Sequence, residues 1–236
     1  MPAFLEDFSS FLGTNEKNEL GQDLKAFLDD YDPRRYESPC VTADTLVFRH
    51  KDNFTSVDTG LKILMIKRKN HPCIGYWALP GGFVEMKEDI LEAAKRELTE
   101  ETGLTDVPLT QIHTWGEVDR DPRARIVTIA YLALIKEEIP VKAGDDAADA
   151  LWMDVNFHLI HVDNSSSFKK ETYEISLSNE EEKLQLKGEV EVTTNHGLLK
   201  AKSYKVTHSD GIAFDHARFI LQGLLYIEDL LKESVK

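Results

Sequence analysis

One stretch, residues 82–104 (GFVEMKEDILEAAKRELTEETGL), limits what this chain can fold into more than any other. Apolar Ile90, Leu91, Ala94 and Leu98 recur at helical spacing and lay one stripe against a core. Glu97, Glu100 and Glu101 fall three and four positions apart, so their carboxylates share another surface of the same helix. Like charges so placed repel, by roughly a few tenths of a kcal/mol per exposed pair. A hard divalent cation, Mg²⁺ or Mn²⁺, turns that repulsion into attraction, because carboxylate and water oxygens are its preferred ligands. The residues alone also allow a plain solvated acidic face. Gly103 is suited to stop the helix in the left-handed conformation, with Leu104 available for the closing apolar contact.

The 236 residues suffice for one α/β core, or for a core with an appended subdomain. Lys and Arg number 28 against 42 Asp and Glu, a formal charge of −14. That balance opposes nonspecific binding to nucleic acid or anionic membrane, so neither is an expected partner. Cys40 and Cys73 stand in unrelated contexts without metal-ligand spacing, which argues against a disulfide scaffold or zinc site and fits a reducing cytoplasm. The opening MPAFLEDFSSFLG has neither the basic nor the long apolar region of a signal peptide, and no run approaches a membrane span.

Taken in order, residues 1–36 read as a helical arm with helices at 4–12 and 19–30, and residues 37–236 as one domain. VTADTLVF and LKILMIKR (61–68) have strand character on either side of a polar connection at 51–59. Residues 76–79 make a short strand before Pro80, and Gly81 and Gly82 let the backbone approach a ligand or metal closely. Residues 109–118 and 125–135 read as strands; the long apolar run of the second suits a central position with both faces covered. AGDDAADA reads as a loop before the strand LWMDV. Within an insertion expected at 160–210, residues 164–170 read as mobile, while YEISL, LQLKGEVEV and LLKAKSYKV alternate like strands and TTNHG turns between the last two. FDHARFILQGLLYIEDLLKES is an amphipathic helix. The expected fold class is α/β, a mixed sheet sandwiched between helices with a strand-rich insertion and a C-terminal helix.

Arg68, Arg120, Arg123 and Arg125 are the candidates for holding a diphosphate, since guanidinium forks match phosphate oxygens. Arg68 leads, because it follows a strand just ahead of the glycine turn. Phe83, Trp77, Trp115 and Tyr131 are candidates for stacking a base, each with core packing as the competing role. Asp215 is read as a helix cap and His216 as a structural hydrogen-bonding residue. His113 and His196 show no metal-ligand pattern.

The spacing of Gly82, five residues, Glu88, seven residues, then Arg96, Glu97, Leu98, Glu100, Glu101, Gly103 and Leu104 matches the Nudix box at every fixed position. The resemblance extends to LKILMIKRKNHPCIGYWALPGGFVE, GEVDRDPRARIVTIAYLALI, AGDDAADALWMDV and IAFDHARFIL. Together these look like the ADP-ribose pyrophosphatase group related to the Nudix part of NrtR-type regulators and of bifunctional NMN adenylyltransferases. The resemblance implies a Nudix fold and a metal-dependent enzyme that cleaves the diphosphate of ADP-ribose to AMP and ribose 5-phosphate. Another nucleoside-diphosphate derivative (NADH, a nucleotide sugar or an oxidised nucleotide) and a non-catalytic ADP-ribose sensor are the alternatives.

By the same resemblance, Glu97 and Glu101 are the leading ligands of Mg²⁺ (or Mn²⁺) and Glu100 binds directly or through water. The Gly81 or Gly82 carbonyl completes the shell, and Glu85 reaches the metal or makes a polar turn. Glu97 is alternatively the general base, and Arg96 is expected either to position Glu88 or Glu97 or to act in catalysis with Glu97, Glu100 and Glu101. A homodimer is implied. Regulators of this kind carry a winged-helix domain after the FDH helix, and only about twenty residues follow His216 here, which shifts the expectation from regulator to enzyme.

Overall fold

In the computed structural model, which describes residues 4–51, 54–58, 60–136, 139–144 and 147–234, the chain divides into two units, Met1–Pro39 and Cys40–Lys236. The first unit is less helical than the sequence suggests. It holds a 3₁₀ turn at Ser9–Phe11, helix α1 at Leu24–Asp30, and a second 3₁₀ turn at Pro33–Arg35. Asp23 fixes the start of α1, its carboxylate accepting the Ala26 amide at 2.8 Å. Just upstream, the Asn18 side-chain oxygen accepts the amides of Leu20 and Gln22 and bends the chain where the expected helix would begin. None of these helical residues is buried. A short helix that buries no face has little to lengthen it.

In the second unit, alternate residues of the central strands serve opposite faces of the sheet. Along β1 (Cys40–Arg49) and β2 (Lys62–Arg68), Leu46, Phe48, Ile63 and Met65 enter one apolar cluster, while Val47 and Leu64 enter another. Strands β3 (Trp77–Ala78) and β4 (Gly81–Phe83) lead to helix α2 (Ile90–Thr102), which covers the second face through Ala93, Ala94 and Leu98. After β5 (Thr110–Trp115), β6 (Ile126–Ile135) pairs in parallel with β1 over its whole length, the central position its apolar run called for. Gly103 ends α2 in the left-handed conformation (φ 74°), as expected.

Strands β7 (Ala147–Asn164), β8 (Phe168–Asn179), β9 (Leu184–Asn195) and β10 (Lys202–Asp210) form an antiparallel meander. Because β7 also pairs with β2, the meander continues the main sheet, whose order is β10-β9-β8-β7-β2-β1-β6-β5. Two expectations change here. The stretch AGDDAADA is strand from Ala147 onward, with Asp145 and Asp146 outside the described residues, as are positions 52, 53 and 59 of the polar connection. Residues 164–170 form a defined hairpin: Ser165 Oγ accepts the amides of Ser167 and Phe168, so the serine run caps the turn.

Helix α3 (His216–Ser234) lies over the first face and contributes Ala217, Phe219, Ile220, Leu221 and Leu224 to its core. A Cβ on Gly223 would sit 2.8 Å from Leu46, so glycine permits the close approach of helix and sheet. The fold is the mixed α/β sheet between helices that the sequence predicts, with the strand-rich insertion and C-terminal helix in place. Among the described residues, no helix is long and apolar enough to cross a membrane.

Candidate active site

The turn from β3 into β4 and the start of α3 wall a cavity of about 350 Å³. Glycine is required at its rim. Gly81 has φ 156°, and a Cβ there would lie 2.4 Å from the Ala43 carbonyl oxygen; its amide donates to Glu101 Oε2 at 2.8 Å. A Cβ on Gly82 would meet the Glu97 carboxylate at 2.4 Å. Here the obstacle is the far end of a flexible side chain, so the structure can yield while the carboxylate cannot keep its place. Gly82→Ala is therefore expected to lower activity more than about tenfold with a change in thermal midpoint of only a few degrees. Activity assays beside thermal unfolding test this; unchanged turnover would show that the position of Glu97 is unimportant.

Arg96 organises the acidic helix face. Its guanidinium donates to Glu88 at 2.8 and 3.1 Å, to Glu97 at 2.8 Å, to Glu100 at 3.0 Å and to the Phe83 carbonyl at 3.1 Å. These bonds raise the Arg96 pKa and lower that of Glu88. Glu85, Glu97 and Glu101 line the cavity; Glu100 is on the same helix face, and its carboxylate is held by Arg96 outside the lining.

Asp44, which sequence reasoning did not single out, is the third deep carboxylate. It projects from β1 into the same cavity and is 8% exposed. Burial pushes its pKa up to about 7, with Asp215 and Glu97 adding to the shift and Arg120 opposing it. Burial likewise drives Glu101 to about 8, reinforced by Glu97 and Asp44 and opposed by the Gly81 amide. Asp44, Glu97 and Glu101 thus crowd negative charge into a poorly solvated place. Among the described residues, no group of three His, Cys, Asp or Glu side chains is closed around a cation position. The donor types and their mutual repulsion nevertheless fit a hard divalent cation.

His216 makes the structural hydrogen bond expected of it. Its Nδ1 accepts the Leu79 amide at 3.0 Å, and burial lowers its pKa to about 4, so the ring is neutral and Nε2 carries the hydrogen. That nitrogen lies 3.8 Å from Asp44 Oδ2. The Asp215 carboxylate pairs with Arg120 (3.0 and 3.1 Å) and with Arg218.

The four candidate arginines separate. Arg68 and Arg123 line the cavity, Arg123 held by Asp121 at 2.8 and 3.0 Å. Arg120 also lines it, but is buried and committed to Asp215 and the Thr128 hydroxyl, which makes it a wall. Arg125 is drawn away, donating to the carbonyls of Gly116 (2.6 Å) and Glu117 (3.0 Å). Of the candidate aromatics, Phe83 lines the cavity and is 44% exposed, whereas Trp77, Trp115 and Tyr131 are core residues. Phe214 is a second cavity ring, and only the fold could reveal it.

Carboxylates of the kind a hard cation takes therefore share one cavity with arginines of the kind a phosphate takes. The NUDIX domain model matches residues 49–173, more than half of the chain, and the chain belongs to the Nudix family, whose fold generally implies a divalent metal. An ADP-ribose pyrophosphatase from Methanocaldococcus jannaschii is 42% identical over 136 residues, covering 57% of this chain and 70% of that one. An ADPR responsive transcriptional repressor from Acinetobacter baylyi is 44% identical over 114 residues, 47% of this chain but only 43% of the repressor. Among solved structures, a MutT/nudix family protein from Enterococcus faecalis superposes with a TM-score of 0.60 at 29% identity, covering 94% of this chain and 70% of that one.

Proposed function

We propose that this protein hydrolyses the diphosphate of ADP-ribose, releasing AMP and ribose 5-phosphate, with Mg²⁺ or Mn²⁺ as cofactor. The observation that carries the reading is the pairing, within one cavity, of the Asp44, Glu97 and Glu101 carboxylates with the Arg68 and Arg123 guanidiniums. The names of the pyrophosphatase and the repressor, both tied to ADP-ribose, support the choice of substrate.

Glu97 and Glu101 would hold the cation, with Glu85 and the Gly81 or Gly82 carbonyl within the same rim. A divalent cation bound there supplies neutralisation of phosphate oxygens and a bound water of lowered pKa. Arg68 and Arg123 bind the diphosphate through its oxygens, as guanidinium forks match phosphate. Arg96 fixes the direction of Glu97 by its 2.8 Å bond, so the carboxylate is aimed before substrate arrives. Asp215 keeps Arg120 in the wall, away from the diphosphate.

The likeness to a repressor favours a second reading, an ADP-ribose sensor without turnover. A panel of ADP-ribose, NADH, nucleotide sugars and oxidised nucleotides, incubated with purified protein and Mg²⁺, separates the two. The expected outcome is AMP formation from ADP-ribose well above any other substrate. Tight ADP-ribose binding with no product would establish the sensor instead, and preferred cleavage of another compound would reassign the substrate.

A further inference from the structure

Phe214 has a backbone conformation that a bulky side chain rarely adopts, with φ 49°. The segment around it is pinned. Ala213 donates its amide to the Trp77 carbonyl at 2.7 Å, Trp77 donates to Gly211 at 2.8 Å, and the His216 amide returns to the Ala213 carbonyl. The ring so presented packs against the cluster of Ile66, Ala78, Ala147, Ala150 and Ala213. Two cations lie over it: the Arg68 guanidinium carbon is 4.9 Å from the ring centroid and that of Arg123 is 5.7 Å. Arg123 also lies 5.2 Å from the Phe83 ring.

Two guanidiniums sharing one cavity repel each other. Burial and the neighbouring Arg123 charge both depress the Arg68 pKa. An aromatic face attracts each of them and offsets that repulsion. Strained backbone persists where the surroundings over-determine it, and here the strain places a ring beneath both arginines. We propose that Phe214 is a positioning residue that holds Arg68 and Arg123 together as a preformed clamp for a diphosphate. The clamp rests on the proposed hydrolysis of ADP-ribose for its substrate, but not for its anion chemistry. Pro72 and Asp121 fix the two arms from outside, accepting from Arg68 Nε at 2.8 Å and from Arg123.

The test uses the full chain with Mg²⁺ and two ringless replacements, Phe214→Leu and Phe214→Met, with Phe214→Tyr as the rescue. The non-hydrolysable probe methylenediphosphonate, followed by calorimetry, should bind about tenfold more weakly to each ringless variant and normally to the tyrosine variant. With ADP-ribose, KM should rise by a similar factor while kcat stays within about threefold, a split that a general loss of structure would not produce. A folded ringless variant that binds the probe as tightly as wild type overturns the clamp, as does a wild-type protein that fails to bind it. If the wild type binds the probe but does not cleave ADP-ribose, the substrate assignment falls, and the comparison of variants still decides the role of Phe214.

Discussion

Replacing Glu101 by Gln is expected to lower turnover of ADP-ribose at saturating Mg²⁺ by at least about 100-fold without loss of thermal stability. Glu101 is only 5% exposed, and in the absence of metal burial raises its pKa from 4.5 to about 8. Near neutral pH the metal-free side chain is thus mostly a protonated acid, whose size and acceptor oxygen glutamine reproduces, including acceptance from the Gly81 amide. What glutamine lacks is the anionic form that a cation demands. A raised folded-state pKa contributes stability that is present below pH 4.5 and lost as pH rises through about 8. The metal-free wild type should therefore lose stability over that interval more steeply than the variant. Asp44, raised to about 7, runs in the same direction in both proteins, so the difference between them reports Glu101 together with its coupling to Asp44. Thermal unfolding in chelator across pH, beside activity with Mg²⁺, measures both effects. Near-normal activity of the variant would reject Glu101 as a metal ligand.

The second large effect belongs to stability. Asp215 lies between two buried cations, Arg120 and Arg218, whose side chains are 6% and 8% exposed. Burial alone would raise the Asp215 pKa, but the Arg120 and Arg218 charges overcome it and hold the carboxyl below its usual range. Asp215→Ala leaves both guanidiniums without this shared partner, and breaking a buried pair costs about 3–5 kcal/mol. For a chain of this size that corresponds to a fall in thermal midpoint of roughly 6–20 °C. Asp215→Asn, which keeps the shape and one acceptor, should fall less. The carboxylate's contribution is present above its unfolded pKa and lost as pH falls through the lower folded value, so the gap between wild type and Asp215→Ala should narrow in acid. Equal midpoints at neutral pH would show that Arg218 and Arg120 are satisfied elsewhere.

The two effects differ in how plainly the sequence announces them. The acidic face of α2 is local, since three glutamates at helical spacing must share a surface whatever surrounds them. Its glycine turn and left-handed stop are equally local. Asp44 did leave a trace, a carboxylate within the strand run VTADTLVF, where every neighbour from Thr42 to Phe48 is buried. Which strand lies beside α2 is a matter of pairing, however, and spacing along the chain carries no record of it.

The arginines show the same limit: all four have the right chemistry, but Arg125 is spent on two carbonyls and Arg120 on Asp215. Phe214 and Asp215 enter the site from the far side of the β7–β10 meander. The meander's alternation was readable, whereas its continuity with the main sheet depended on β7 pairing with β2. The short helix of the N-terminal unit makes the converse point, because apolar periodicity yields a long helix only where something covers the stripe.

Phe214, Asp215 and His216 follow the meander in the chain, and this gives the site an order of assembly. Synthesis proceeds from the N-terminus, so the glutamate helix emerges from the ribosome well before the residues that pair Arg120 and place a ring beneath Arg68 and Arg123. A nascent chain that has reached only β10 carries its acidic residues before Arg120 has met Asp215. The last loop then docks on Trp77 and closes one wall of the cavity with Phe214 and His216.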